Sequence, residues 1–180
     1  MNHCYLFIGP SGSGKTSLAE KAFAPEQKVI SYTTRPTREG EEHGRDYYFV
    51  SKKKFKQMVN DDQFAEYDVY DEEFYGIAKS TLREALTAGN CYDPITTTGF
   101  INLHRIFGDQ MVPIWINISQ ETMIARLEKR ATPEELERRL AIFQEDVESL
   151  ERLKKFPNLI IINGEATLEE MLLQLRQALD

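Results

Sequence analysis

Histidine, cysteine and tryptophan are scarce in this chain, at three, two and one among 180 residues, and each shortage removes a class of chemistry. His3, His43 and His104 have no partners at catalytic or metal-ligand spacing, so no imidazole chemistry is assigned to them. Cys4 and Cys91 each fall in a strand-like apolar setting without metal-ligand spacing; they read as reduced core thiols. No hydrophobic run approaches the roughly 20 residues needed to span a bilayer, and the amino terminus lacks a signal-peptide pattern. A cytoplasmic protein without a membrane partner is expected. Excess positive charge is missing too. The formal net charge is -7, the wrong sign for broad nucleic-acid binding, which rests on clustered Lys and Arg. Internal repeats, low-complexity tracts and linkers are also missing. What is left is one domain of ordinary composition, 41% hydrophobic and 28% charged, long enough to bury about 70% of its unfolded surface.

What is present is an alternation. Apolar stretches read as strands at CYLFI from Cys4, KVISY from Lys28 to Tyr32, YYFV from Tyr47, FAEYDV from Phe64, CYDPI from Cys91, VPIWINI from Val112 to Ile118 and LIIIN from Leu159 to Asn163. Helical spacing lies between most of them. Leu136, Leu140, Phe143, Val147, Leu150 and Leu153 recur at three- or four-residue steps. They predict one long amphipathic helix, opened by Thr132 as N-cap and Pro133 as first helical residue. Gly89 is placed to end the helix STLREALTA, and Thr167 with Glu170 has capping-box spacing for the last helix. Strands alternating with helices predict an α/β fold with a mostly parallel sheet covered on both faces. The stretch Thr33 to Ile77 breaks the pattern, being dense in Tyr, Arg, Glu and Gly. It predicts a small antiparallel insertion placed to grip a substrate.

Directly behind the first strand stands GPSGSGKTS. Gly9, Gly14, Lys15 and Thr16 satisfy G-x-x-x-x-G-K-[ST] between a strand and a helix, the context this pattern requires. Its glycines let backbone N–H groups turn inward around a polyphosphate, and the helix opening near Lys15 points its positive end at the same anion. The segment Gly9, Pro10, Ser11, Gly12, Ser13, Gly14, Lys15, Thr16 and Ser17 is therefore expected to bind ATP or GTP with Mg2+. Lys15 would reach the β- and γ-phosphates and Thr16 would be a ligand of Mg2+. The motif does not say what receives the phosphoryl group.

Downstream come SYTTRPTREGEEHGRDYYFV and FAEYDVYDEEFYGI. With these the chain resembles the guanylate kinase family over nearly its whole length: the phosphate loop, S-x-T-T-R-x-x-R-x-G-E-x-x-G-x-D-Y-x-F-V, F-x-E-Y, F-Y-G, R-L-x-x-R and a terminal strand ending in Ile-Asn. The resemblance implies one domain over 1–180 with a P-loop three-layer α/β fold and a central parallel sheet. The core would comprise about 1–32 and 78–180, with an antiparallel acceptor-nucleotide-binding insertion at about 33–77 and a helical lid near 126–139. It implies ATP with Mg2+ as donor and a nucleoside monophosphate, GMP or dGMP first, as acceptor, in a monomer or homodimer. Carried over residue by residue, it places Ser31, Arg35, Arg38, Tyr47 and Tyr75 on the acceptor's phosphate, where arginine forks and phenolic hydroxyls suit the oxygens. Glu66 matches the carboxylate that reads guanine. An ionised carboxylate only accepts hydrogen bonds, and guanine offers N1–H and N2–H where adenine presents a lone pair at N1. Arg126, Arg130 and Arg139 match lid and hinge arginines and complete, with Lys15 and Arg38, the implied catalytic set. RLEKR and ELERRL equally have the Glu–Arg spacing of an ordinary helix surface.

Two places depart from the family. Ile77 stands where members usually carry a Ser or Thr that donates to guanine. CYDPITTTG replaces an Asp-x-Asp segment, with Asp93 near the first Asp as a candidate metal ligand and Thr96 where the second would be. The Thr96 to Thr98 run reads equally as a strand end with its loop or as a rebuilt base pocket. Two other functions stay open. One is a kinase of another small phosphate, either a different nucleoside monophosphate or ribose 1,5-bisphosphate; Glu66 argues against the sugar phosphate, which offers no base edge. The other is a guanylate-kinase-like phosphopeptide-binding module, and the intact Lys15 and Thr16 argue against that.

Overall fold

Strand β1, Cys4–Ile8, sends Cys4, Leu6 and Ile8 into one apolar cluster and Tyr5 and Phe7 into another. A strand apolar on both faces needs cover on both. In the computed structural model, which describes residues 1–70, 72–129 and 131–179, β1 lies inside a four-stranded parallel sheet. Its order is β6-β1-β7-β8, with β6 at Cys91–Pro94, β7 at Met111–Asn117 and β8 at Ile160–Asn163. Helices α1 (Lys15–Ala22) and α8 (Leu168–Leu179) cover one face through Leu18, Ala19, Met171, Leu172 and Leu175. Helices α3 (Lys79–Ala88), α4 (Thr97–Phe107) and α7 (Leu150–Leu153) cover the other through Leu82, Leu86, Phe100, Leu103 and Leu153. Three layers result, as the alternation predicts. Cys4 and Cys91 pair across β1 and β6 as buried free thiols, and their mutual hydrogen bond with burial holds the Cys4 thiol well up in pKa. Among the described residues no helix is long and apolar enough to cross a membrane.

A second sheet, in the order β3-β2-β5-β4, stands apart from the first. Its strands are β2 (Tyr32–Thr33), β3 (Tyr48–Phe49), β4 (Phe64–Tyr70) and β5 (Glu73–Ala78). The antiparallel expectation is corrected in part: β5 pairs antiparallel with β2 and β4, but β2 and β3 run parallel. A helix, α2 (Lys52–Asn60), belongs here as well, with Phe55 and Met58 packed on Phe64. Its lysine-rich KKKFKQMVN shows only those two buried residues, while Ser51 caps it by accepting from Lys54 N–H at 3.1 Å. KVISY also proves shorter as a strand than its apolar run suggests. Val29 N–H donates to Tyr92 C=O at 2.9 Å, and the chain then leaves the parallel sheet to enter the second one at Tyr32.

The single long helix expected from Leu136 to Leu153 is two helices. Helix α6 runs over Pro133–Glu148 and α7 follows after Ser149. The Ser149 hydroxyl bonds back to the Asp146 carbonyl at 2.6 Å and lies 2.7 Å from the Thr97 hydroxyl. Such a back-bond competes with the helical ladder, and the apolar spacing, which continues through it, gives no sign of the break. The caps stand as expected: Thr132 accepts from Glu135 N–H at 3.2 Å, Gly89 follows α3, and Thr167 and Glu170 bond reciprocally. The short helix α5 spans Gln120–Leu127. Thr96 to Thr98 is not a strand end: Thr96, in the short connection after β6, is the N-cap of α4, and Thr97 and Thr98 open that helix.

Candidate active site

The turn after β1 needs its glycines. Gly9 has φ 149°, and a Cβ there would stand 2.6 Å from the Ile116 carbonyl oxygen. Gly14 caps α1 at φ 92°, a region that side chains resist. The loop therefore presses against β7 and turns straight into α1, whose N-terminus is the end of a helix that attracts anions. Lys15 Nζ donates to the carbonyls of Gly9 at 2.6 Å and Pro10 at 2.9 Å, so the ammonium lies across the loop's mouth. Arg126 braces the same loop from behind, donating to Gly12 C=O at 3.0 Å and Gly164 C=O at 2.7 Å.

Between this loop and the second sheet opens a cleft of about 260 Å³. Ser31, Arg35, Arg38, Tyr47, Glu66, Tyr75, Ile77, Asp93 and Thr96 line it together with Gly9, Ser11, Lys15, Thr16 and Arg139. Two halves of the sequence expectation, the phosphate loop and the Arg–Tyr–Glu group, thus share one space. Pro10, Gly12, Ser13, Gly14, Ser17 and Arg126 stand back from its wall, and Arg130 lies outside the described residues.

A β-bulge aims Glu66. Pairing of β4 with β5 shifts between Phe64 and Glu66, so Phe64 turns to α2 and Ala65 to the main core. From there the strand alternates regularly, and Glu66, Asp68 and Tyr70 all face the cleft opposite Ile77, Tyr75 and Glu73. Asp68, Tyr70 and, from α6, Asp146 were not singled out in the sequence. Alternation from Glu66 was the available signal for the first two. The Arg139 guanidinium lies 5.0 Å from the Tyr70 ring centroid, a cation–π distance.

Charge in the cleft is tightly arranged. Arg35 commits three N–H bonds: two to the Glu41 carboxylate at 2.9 and 2.7 Å and one to Pro36 C=O at 2.8 Å. It also lies over the rings of Tyr47 and Phe49. The Arg35 bond holds the Glu41 carboxyl below its usual range. Burial, with Asp93 and Asp68 nearby, pushes Glu66 up to about 8, and its Oε2 has no hydrogen-bond partner among the described residues. Asp93, 2% exposed, is raised by burial to about 7 against the opposing effects of the Ser31 hydroxyl bonded to it and of Lys28. Burial raises Asp146 to about 6, opposed by Lys15 and Arg139. Burial likewise raises the Tyr47 phenol.

Ile77 is 1% exposed and packs in the main core with Ala65, Leu82 and Phe100, while its edge reaches the cleft. It is a packing residue and a wall residue at once.

The chain has counterparts among known proteins. The sequence model described as Guanylate kinase matches residues 1–180. A guanylate kinase of Bacteroides fragilis is 33% identical over 147 residues, covering 76% of this chain and 71% of that protein. One from Dechloromonas aromatica is 32% identical over 182 residues, covering 98% and 84%. The crystal structure of guanylate kinase from Anaplasma phagocytophilum superposes with a TM-score of 0.70 at 21% identity, over 99% of this chain and 84% of that one; it bears out the α/β architecture. The match from end to end, on a fold that brings the matching motifs into one cleft, means that the chain belongs to the guanylate kinase family.

Proposed function

We propose that the chain transfers the γ-phosphoryl group of ATP to GMP. The observation that carries this is the shared cleft: the phosphate loop with Lys15 opens onto the space that Arg35, Arg38, Tyr47 and Tyr75 line, with Glu66 buried beyond them. The second sheet with α2 would be the acceptor-binding part, and the segment near 126–139 the lid.

In this reading an oxygen of the acceptor's phosphate attacks the γ-phosphorus, the bond to the β-phosphate oxygen breaks and ADP leaves. Positioning and charge stabilisation account for most of the catalysis. Lys15 moves from the loop carbonyls onto the phosphates. Arg139, held over Tyr70, neutralises charge on the transferring group. Arg126 positions the loop from behind. Thr16, an exposed residue on the cleft wall, carries a hydroxyl, a hard oxygen donor of the kind Mg2+ takes alongside phosphates and waters, so it is the residue that would hold the ion. When bound, Mg2+ would supply positive charge that offsets the charge developing on the phosphates. Asp93, buried and bonded by Ser31, serves better to orient that hydroxyl. A coupled assay with ATP and Mg2+ against GMP, dGMP, AMP, CMP, UMP, dTMP and ribose 1,5-bisphosphate tests the reading; preference for anything but a guanine nucleotide overturns it.

Glu66 makes acceptor use depend on pH. Only its ionised form accepts from both N1–H and N2–H, so with a pKa of about 8 GMP binding must release a proton at neutral pH. The kcat/KM for GMP is expected to climb from pH 6, close to tenfold per unit, and level off near pH 8. Stability runs the other way. The folded pKa lies above the ordinary 4.5, so this stabilisation is full below that value and is lost as pH rises through 8. Asp93, raised from 3.8 to about 7, acts in the same direction. Tm of the substrate-free protein should fall between pH 5 and 8, and Glu66→Gln should flatten both profiles. A pH-independent kcat/KM in the parent would mean that Glu66 is already ionised.

Ile77 leaves guanine O6 without a donor, at a cost of about 1 to 3 kcal/mol for a buried acceptor. Ile77→Thr, which keeps the β-branch, is expected to raise kcat/KM for GMP by roughly fivefold and leave AMP unchanged. Placing a hydroxyl in the core should also lower Tm by several degrees. Equal changes for GMP and AMP would show that the position only packs.

A further inference from the structure

Asp68 stands two residues beyond Glu66 on β4. The two side chains leave the strand on one face, about 6.6 Å apart along it, and both reach the cleft. Asp68 is held from two directions, because Thr96 Oγ1–H donates to its Oδ2 at 2.8 Å and Val69 N–H donates to its Oδ1 at 2.8 Å. Thr96 in turn accepts from Gly99 N–H at 3.0 Å as the N-cap of α4. A hydroxyl has one proton. Since that proton is committed to Asp68 and its oxygen to the helix, Thr96 fixes the carboxylate and is not itself a donor to a substrate.

We propose that Asp68 is a second base-reading residue, positioned by Thr96, that accepts from the exocyclic 2-amino group of the acceptor purine. The inference rests on GMP as the acceptor and assigns a part of it that the Glu66 contact alone leaves open. Guanine N1–H is flanked by O6 on one side and the 2-amino group on the other. Around Glu66 the two flanks of the cleft differ. Ile77 of β5 lies directly across the strand pair, whereas the N-terminus of α4 lies on the other side, with Gly99 so close that a Cβ there would stand 2.7 Å from Glu66 Oε2. Asp68 and Thr96 belong to this second flank. With O6 toward Asp68, a carbonyl lone pair would face a carboxylate and the amino group would be buried against an aliphatic wall. With the amino group toward Asp68, a donor meets a charged acceptor and only O6 faces Ile77. Charge complementarity selects the second orientation.

Inosine monophosphate keeps N1–H and O6 but carries hydrogen in place of the amino group, so the ratio of kcat/KM for GMP over IMP reads the contacts to both amino hydrogens, one facing Glu66 and the other Asp68, and the fall of that ratio on changing Asp68 reads the Asp68 share. The parent protein should favour GMP by roughly 10- to 150-fold, the range of a charge-assisted hydrogen bond. Asp68→Ala should lose GMP activity and lower the ratio by roughly tenfold while IMP changes by less than about threefold, with ATP KM little changed. Asp68→Asn, which preserves shape and supports the measurement if the alanine variant does not fold, should lower the ratio part of the way. Thr96→Val should lower it through GMP KM more than kcat, and Thr96→Ser should restore it. Glu66→Gln, by contrast, should depress IMP as well as GMP, because it also loses the N1–H contact that both purines share. If the Asp68 variants reduce both substrates by the same factor, or leave the ratio unchanged, the assignment is wrong. If the parent phosphorylates neither purine, the GMP reading fails first, a result visible without any variant.

Discussion

Lys15→Ala is expected to lower kcat on the order of 10³-fold with any acceptor while Tm stays within a few degrees of the parent. Its Nζ donates to the carbonyls of Gly9 and Pro10 in the structure, bonds that water can replace at modest cost because the side chain is only partly buried. The folded state loses little. In the reaction the same ammonium would follow charge onto the transferring phosphoryl group, and a preorganised charge aimed there is worth about 10²- to 10³-fold or more. Turnover measured beside a thermal melt separates the two effects. Activity retained within tenfold would remove the phosphate-loop assignment, and a collapsed melt would show that Lys15 holds the loop together.

Arg35→Ala should raise the KM for GMP by roughly 10- to 150-fold and the KM for ATP by less than about threefold. The structure sharpens this beyond a lost phosphate contact. Arg35 is clamped in plane by Glu41 and lies over two rings, its side chain 11% exposed, whereas Arg38 is exposed and its backbone N–H bonds Glu41 at 2.8 Å. Arg35 is therefore preorganised, and its removal also strips Glu41 of its fork, so it should cost more than Arg38→Ala. Glu41→Gln keeps the shape without the charge and should raise GMP KM by only about three- to tenfold. Equal losses for GMP and ATP would show that donor and acceptor regions have been exchanged.

The layers of the fold were legible because the pattern of apolar residues carries them: the unbroken apolar run CYLFI in β1 and three- or four-residue steps in α6 read directly as elements. What escaped was structure set by polar atoms. The break at Ser149 comes from one hydroxyl bonding back to Asp146, and α2 carries only two buried side chains on a run of lysines. In the candidate site, Arg35, Arg38, Tyr47 and Tyr75 were legible because their motifs are local. Asp146 was not, since it reaches the cleft only when α6 folds across the phosphate loop. Asp68 follows Glu66 by the two-residue alternation of β4, and what sequence did not show is that Thr96, at the N-terminus of α4, holds its carboxylate. The position of Arg126 behind the loop depends on the Gly12 and Gly164 carbonyls, far from it in sequence.

Glycine in a helix ordinarily invites replacement, since alanine gains roughly 1 kcal/mol in a helix interior, and Gly99 sits in the first turn of α4 with no obvious role of its own. Here that gain is closed off. A methyl group at Gly99 would stand 2.7 Å from Glu66 Oε2 and from the Ile95 side chain, so the added carbon must displace either the carboxylate or the wall beneath it. For anyone engineering heat resistance into this enzyme, Gly99→Ala is the substitution to leave out: the added carbon would unseat the carboxylate proposed to read the acceptor, or the wall that backs it.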